Sequence, residues 1–108
     1  MGVLDEAYAG FAGETLFQRV LSHPRALVAR TLSKAVGLAG MRGGVAFGNA
    51  DLIREVEKSR GPYKVNRLAE AAAVAALRGE AGWIDPTVAE ALEQRERLRH
   101  ALSQRGRA

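Results

Sequence analysis

The stretch TLSKAVGLAGMR, residues 31–42, sets a single lysine between an apolar run and a glycine-rich loop. The run before it, ALVAR at 26–30, follows the breaker His23-Pro24 and ends in the polar cluster 31–34. Beyond the loop, GVAFG at 44–48 is a second short apolar run, closed by the turn signal Gly48-Asn49. Short apolar runs bounded by turn residues read as strands. GVL at 2–4 is a third, and it passes straight into the acidic pair Asp5-Glu6. A strand delivering polar groups at its C-terminal end has this form.

Helical patterns follow the strands. Asn49 or Asp51 can cap a helix carrying Leu52, Ile53 and Val56, which stops near 59–62. Asn66 can cap a second, alanine-rich helix through Leu77, stopped by Gly79. Asp85-Pro86 reads as a cap and a first-turn proline, predicting a third helix from Thr87 to about Gln104 with Val88, Leu92, Leu98 and Leu102 on its apolar side. Strands followed by helices argue for an α/β fold with parallel pairing. Three short strands cannot form a sheet covered on both faces. The expected architecture is therefore part of a larger, mostly parallel α/β sheet, with one apolar face and an edge left open around Val3, Val28 and Val45.

Composition narrows the chemistry. Of 108 residues, 47% are hydrophobic, so the chain reads as globular and not disordered. It has no cysteine, which excludes disulfides, thiol catalysis and cysteine-based metal sites. His23 and His100 lie far apart, so no metal centre is expected, and His23 reads as a turn residue beside Pro24. No apolar run approaches the ~20 residues of a membrane span, and cytoplasmic residence is the expectation. Much of the +4 net charge sits in Arg95, Arg97, Arg99, Arg105 and Arg107, which read as a solvated helix face and not as a nucleic-acid patch.

Lys34 stands out because the chain holds three lysines against thirteen arginines. A surface lysine at a strand end is the ordinary reading. Yet Ala35, Val36, Leu38 and Ala39 surround it and Arg42 follows eight residues on. Apolar surroundings or a neighbouring cation are what make a lysine amine nucleophilic. Ser33, Arg42 and the glycines 37, 40, 43 and 44 add a hydroxyl, a guanidinium and bare backbone amides, a set that suits a phosphate. Neither GxGxxG nor GxxxxGK[ST] is present, so on spacing alone the phosphate signal is weak.

Three blocks in order make the reading specific: LDEAY at 4–8, RTLSKAVGLAGMR at 30–42 and RGPYKVN at 60–66. Together they resemble the central segment of fold-type I pyridoxal-phosphate aminotransferases, most of all the histidinol-phosphate aminotransferases. The resemblance covers nearly the whole chain and implies roles position by position. Lys34 matches the lysine that binds the cofactor covalently and then shuttles a proton. Asp5 matches the carboxylate that keeps the pyridine nitrogen protonated, and Tyr8 the hydroxyl that meets the cofactor's phenolic oxygen. Ser33 and Arg42 match ligands of the cofactor phosphate. Glu6, Tyr63 and Asn66 are expected to be structural, and Trp83 to anchor packing near a domain junction.

The resemblance also implies limits. It places residues 1–78 in the C-terminal part of the cofactor-binding large domain, built on a mostly parallel three-layer sheet, 79–86 in a linker and 87–108 at the start of a small domain. The partners it implies are a small-molecule amino donor, histidinol phosphate being favoured, and a 2-oxo acid such as 2-oxoglutarate, with no nucleic acid, no membrane and a homodimeric assembly. The phosphate loop, the ring-stacking aromatic and the arginine for the substrate carboxylate have no counterpart here. The isolated chain is thus expected to be inactive and marginally stable. Gly43 departs from the family's bulkier aliphatic residue. The alternative from another class is a non-catalytic remnant acting as an interaction module.

Overall fold

The structure, a computed structural model, describes residues 1–79 and 82–106. Three strands form one sheet in the order β1 (Gly2–Asp5), β2 (Ala26–Thr31), β3 (Gly44–Gly48). All three coincide with the apolar runs of the sequence. Between β1 and β2 lie two short helices, α1 (Ala9–Ala12) and α2 (Phe17–Leu21), which carry the chain back so that β1 and β2 pair in parallel. In register, Leu4 faces Val28 and Asp5 faces Ala29.

β3 departs from the expected parallel arrangement: it runs antiparallel to β2, with Val28 opposite Phe47 and Thr31 opposite Gly44. The connection through residues 32–43 contains only a 3-10 turn, Ala39–Met41. A parallel return needs a crossover of about a dozen residues, usually helical. This loop instead folds back on itself, with Leu38 N–H donating to the Leu32 carbonyl at 2.8 Å and Leu32 N–H to the Gly43 carbonyl at 3.3 Å. The sheet is mixed. Gly43 precedes β3, and a Cβ there would stand 3.2 Å from Leu32 Cδ1. The missing side chain makes room for Leu32, which is buried.

The core lies under β2. Val28 is fully covered and clusters with Val20 of α2, Ala26 and the partly buried Leu4. Val3 and Val45, on the flanking strands, are exposed as the sequence leads one to expect, whereas Val28, expected beside the open face, is covered because α2 packs Val20 onto it. Gly48 allows β3 to close tightly on β2, since a Cβ there would meet Leu27 Cδ2 at 2.5 Å.

Helix α3 (Ala50–Ser59) is capped by Asn49, whose side chain accepts from Asp51 N–H. Helix α4 (Arg67–Leu77) is capped by Asn66, and its buried face consists of Ala69 and Ala76. Asn66 works twice: Oδ1 accepts from Ala69 N–H at 2.8 Å, and Nδ2 donates to the Met41 carbonyl at 3.3 Å. It thereby ties α4 to the lysine-bearing loop, a structural role as expected. Asn66→Ala should lower stability by about 1 kcal/mol, the usual worth of a cap. A reduced denaturant midpoint at unchanged slope is the measurement.

Helix α5 (Ile84–Gln104) starts three residues before the expected Thr87. Trp83 occupies the cap position, and the first full-turn bond runs from Thr87 N–H to the Trp83 carbonyl at 3.0 Å. Asp85 and Pro86 therefore sit inside the first turn. Proline is tolerated there because first-turn N–H groups have no intrahelical acceptor anyway. The linker expected at 79–86 includes Glu80 and Ala81, which lie outside the described residues. Among the described residues, no helix is long and apolar enough to cross a membrane.

Candidate functional site

Parallel strands end on the same side of a sheet, and in α/β folds ligands bind beyond those carboxyl ends. β1 and β2 obey this, so residues 5–8 and 31–34 emerge at one edge. That edge is where Asp5, Tyr8, Ser33 and Lys34 gather.

Asp5 is exposed at the end of β1. Its Oδ1 accepts from Ala7 N–H at 2.9 Å, which turns the chain, and its other oxygen has no partner among the described residues. Tyr8 follows the turn, 61% exposed, and lies against Phe11 with ring centroids 6.4 Å apart. Asp5 and Tyr8 border one open hollow of about 1050 Å³, together with Glu6, Thr15 and Arg19.

Lys34 approaches from the β2 side. Its Nζ stands 5.3 Å from the centroid of the Tyr8 ring, a cation–π contact. Lys34 is exposed and not embedded among its small apolar neighbours, in contrast to what its sequence neighbourhood suggests. The reason is local: Ser33 N–H donates to Thr31 Oγ1 and Gly37 N–H to the Lys34 carbonyl, making a tight turn that presents the side chain outward. Gly37 permits that turn with a φ of 76°. Close docking of α1 completes the approach, because a Cβ on Gly10 would lie only 2.8 Å from Ala35 Cβ. Any larger residue at position 10 would push the lysine's turn away from Tyr8.

The three lysines differ in company. Lys58 pairs with Glu55 at 2.6 Å and Lys64 pairs with Glu57. Among the described residues Lys34 has no carboxylate partner; its contact is the Tyr8 ring.

Ser33 adjoins Lys34 and is half-buried. Arg42 sits at the other end of the loop in a left-handed conformation, φ 57° and ψ 38°. A non-glycine residue held there costs on the order of 1–2 kcal/mol. Its Nη1 donates to the Ala39 carbonyl at 3.0 Å. No hydrogen bond or ion pair joins Arg42 to Asp5, Tyr8, Ser33 or Lys34 among the described residues. The structure thus brings Tyr8 and Lys34 into contact, with Asp5 and Ser33 beside them, and has Arg42 on the same loop bonded to the Ala39 carbonyl.

Glu6 has more partners than sequence reading suggests. Its carboxylate accepts from Leu16 N–H at 2.7 Å, from Thr15 Oγ1 at 2.8 Å and from Arg30 Nε and Nη2 at 3.1 and 2.9 Å. The Arg30 guanidinium also lies over the Phe17 ring, which meets Phe47 edge-on at 4.8 Å. The Leu16 N–H first and then the Thr15 hydroxyl hold the Glu6 carboxyl below its usual range; desolvation opposes them, and the Arg30 guanidinium adds to the lowering. A carboxyl with a lowered folded pKa contributes its full stabilisation above the ordinary value of about 4.3. That contribution fades as pH falls through the lowered value. Acidification should therefore loosen the exit of β1, read as a lower protection factor of the Leu16 amide after correction for its intrinsic exchange rate, and Glu6→Gln should remove that part of the acid response. Glu57 and Glu96 are lowered too, chiefly by hydrogen bonds from Lys64 and from Arg99, so the variant's difference isolates Glu6. Among the described residues, no group of acidic or histidine side chains could hold a metal ion.

Residues 1–107 match the family described as aminotransferase class I and II. The chain is 43% identical over 102 residues to histidinol-phosphate aminotransferase 2 of Nitrosococcus oceani, covering 94% of this chain and 28% of that protein. It is 45% identical over 100 residues to the histidinol-phosphate aminotransferase of Roseiflexus castenholzii, covering 93% and 27%. Among solved structures, histidinol-phosphate aminotransferase from Sinorhizobium meliloti in complex with pyridoxal-5'-phosphate superimposes with a TM-score of 0.84 at 29% identity, over 96% of this chain and 29% of that one. A putative aminotransferase from Burkholderia pseudomallei gives 0.79 at 32% identity, over 96% and 32%. The chain spans less than a third of the length of these relatives.

Proposed function

The chain belongs to the aminotransferase class I and II family, and from that premise we propose that it carries the lysine-bearing part of a pyridoxal-phosphate transaminase site. The observation that carries this reading is the company of Lys34: a lysine with no carboxylate partner among the described residues, held against the Tyr8 ring at the edge where Asp5 also emerges. The donor set fits the cofactor. Asp5 keeps one carboxylate oxygen for a protonated ring nitrogen. Tyr8 offers a hydroxyl, Lys34 an amine for covalent attachment, and Ser33 with the remaining donors of Arg42 a grip for phosphate.

Bound, pyridoxal phosphate supplies an electron-accepting ring that stabilises a carbanion next to the substrate nitrogen. The residues serve that chemistry in distinct ways. The Asp5 carboxylate holds a proton on its partner nitrogen by charge. The Lys34 amine anchors the group and afterwards moves a proton, a task that needs a titratable cation. Ser33 and Arg42 orient, and the Tyr8 ring fixes where the amine waits.

The relatives' names support histidinol phosphate as amino donor, and a 2-oxo acid is the acceptor in this reading. Residues 1–78 are the cofactor-binding part of a three-layer large domain in this reading, and 87–108 begin a small domain. The complete enzyme is a homodimer, and the 108-residue chain by itself binds cofactor without turning substrate over. Exposed Leu68, Leu77 and Leu98 favour a second reading, an interaction module. One experiment separates them. The chain is mixed with pyridoxal phosphate, reduced with borohydride and mapped by mass spectrometry. Label concentrated at Lys34 is the expected result; no label, or equal label at Lys58 and Lys64, overturns the cofactor site and leaves the interaction module.

A further inference from the structure

We infer that Glu6 is a positioning residue, whose carboxylate clamp holds Tyr8 and the α1 turn against Lys34. The inference rests on the site reading above but is tested without it. Glu6 is bound from three directions. Its N–H donates to the Ala29 carbonyl at 2.9 Å, fixing it to β2. Its carbonyl accepts from Ala9 N–H at 3.1 Å, fixing the start of α1. Its carboxylate gathers Leu16, Thr15 and Arg30, so the segment after α1 is tied to the same point.

Thr15 shows that the clamp is closed. Its single hydroxyl proton goes to Glu6, while its oxygen accepts from Arg30 Nη2 at 2.7 Å and Phe17 N–H at 3.1 Å. A hydroxyl has one donor and two acceptor sites, and all three are used. The Glu6 side chain is 10% exposed, whereas Asp5 beside it is open to solvent. One neighbour is locked so that the other is presented. Between the two anchored ends of this segment lie Tyr8 and Gly10, the residues that touch Lys34 and its turn. Without the clamp, residues 7–16 would keep the short α1, the Asp5–Ala7 turn bond and the packing of α1 on α5 to place the Tyr8 ring, with the segment after α1 untied.

The test reads the Tyr8–Lys34 contact directly. A methylene next to an ammonium over an aromatic ring is shifted upfield by the ring current. In proton–carbon spectra of the labelled chain, the Lys34 Cε resonance, assigned by its loss in Lys34→Arg, should stand upfield of Lys58 and Lys64. Glu6→Gln and Thr15→Val should move it back among them while the β2–β3 amide signals stay in place. Thr15→Ser, which keeps the hydroxyl, should restore the shift. An upfield Lys34 signal that survives both variants overturns the inference, as does a wild-type signal that never leaves the other two. Collapse of the β2–β3 signals in Thr15→Val would also overturn it, since the clamp would then support the whole fold and not the contact. If Glu6→Gln alone unfolds, the threonine pair decides. Borohydride labelling runs in parallel: loss of selectivity for Lys34 in Thr15→Val supports the clamp, and an unlabelled wild type sinks the cofactor reading while the spectra still decide positioning.

Discussion

Lys34→Arg is expected to abolish covalent capture of pyridoxal phosphate by the chain and to leave its fold intact. Arginine keeps a cation of similar reach, so the attraction to the Tyr8 ring survives. What it lacks is a proton it can give up, because a guanidinium stays charged throughout the working pH range. The substitution therefore separates charge from nucleophilicity. Label at position 34 should fall to background, with unfolding transition and amide spectrum unchanged. In a complete site, loss of the proton-moving group alone would slow turnover by roughly 10²–10⁴-fold, before the lost anchorage is counted. Label persisting elsewhere on the variant at the wild-type level would show that Lys34 was never the preferred amine.

Val28→Asp should be the most damaging change to the fold. Among the described residues Val28 is the one large side chain with no exposure, at the centre of β2, between Leu4 and Phe47 in register and against Val20. A carboxylate there would lose its hydration inside the core, a penalty of several kcal/mol. Small domains hold only about 5–15 kcal/mol in total, and this sheet carries exposed apolar residues on both flanking strands. Loss of the cooperative transition and of dispersed amide signals is the expected outcome. A variant that unfolds at the wild-type denaturant concentration would mean that the β2 core is not what holds the molecule together.

Much of this was legible in residue order, for reasons that can be named. The strands showed because each is a short apolar run stopped by turn residues. Helices α3 and α4 showed because Asn49 and Asn66 cap them. The direction of β3 did not show, since it depends on how residues 32–43 bond among themselves and not on strand composition. Helices α1 and α2 are too short to have a period. The start of α5 was misplaced because Asp85-Pro86 fits a cap as well as a first turn. The site divides the same way. Lys34, Asp5, Tyr8, Ser33 and Arg42 stand in recognisable blocks, whereas Glu6 finds its partners 9, 10 and 24 residues away, and only folding brings them together.

Trp83 adds a practical consequence. Its indole N–H donates to the Val36 carbonyl at 3.1 Å, two residues beyond Lys34, and it is the chain's single tryptophan. Expected as a packing anchor near a domain junction, it also touches the lysine's turn: a Cβ on Gly37 would lie 3.7 Å from the same nitrogen. Indole fluorescence responds to the hydrogen bond and to absorbing groups nearby. The protein therefore contains its own optical probe, and its emission should change when the turn at 33–37 shifts or takes up a ligand, with no dye attached.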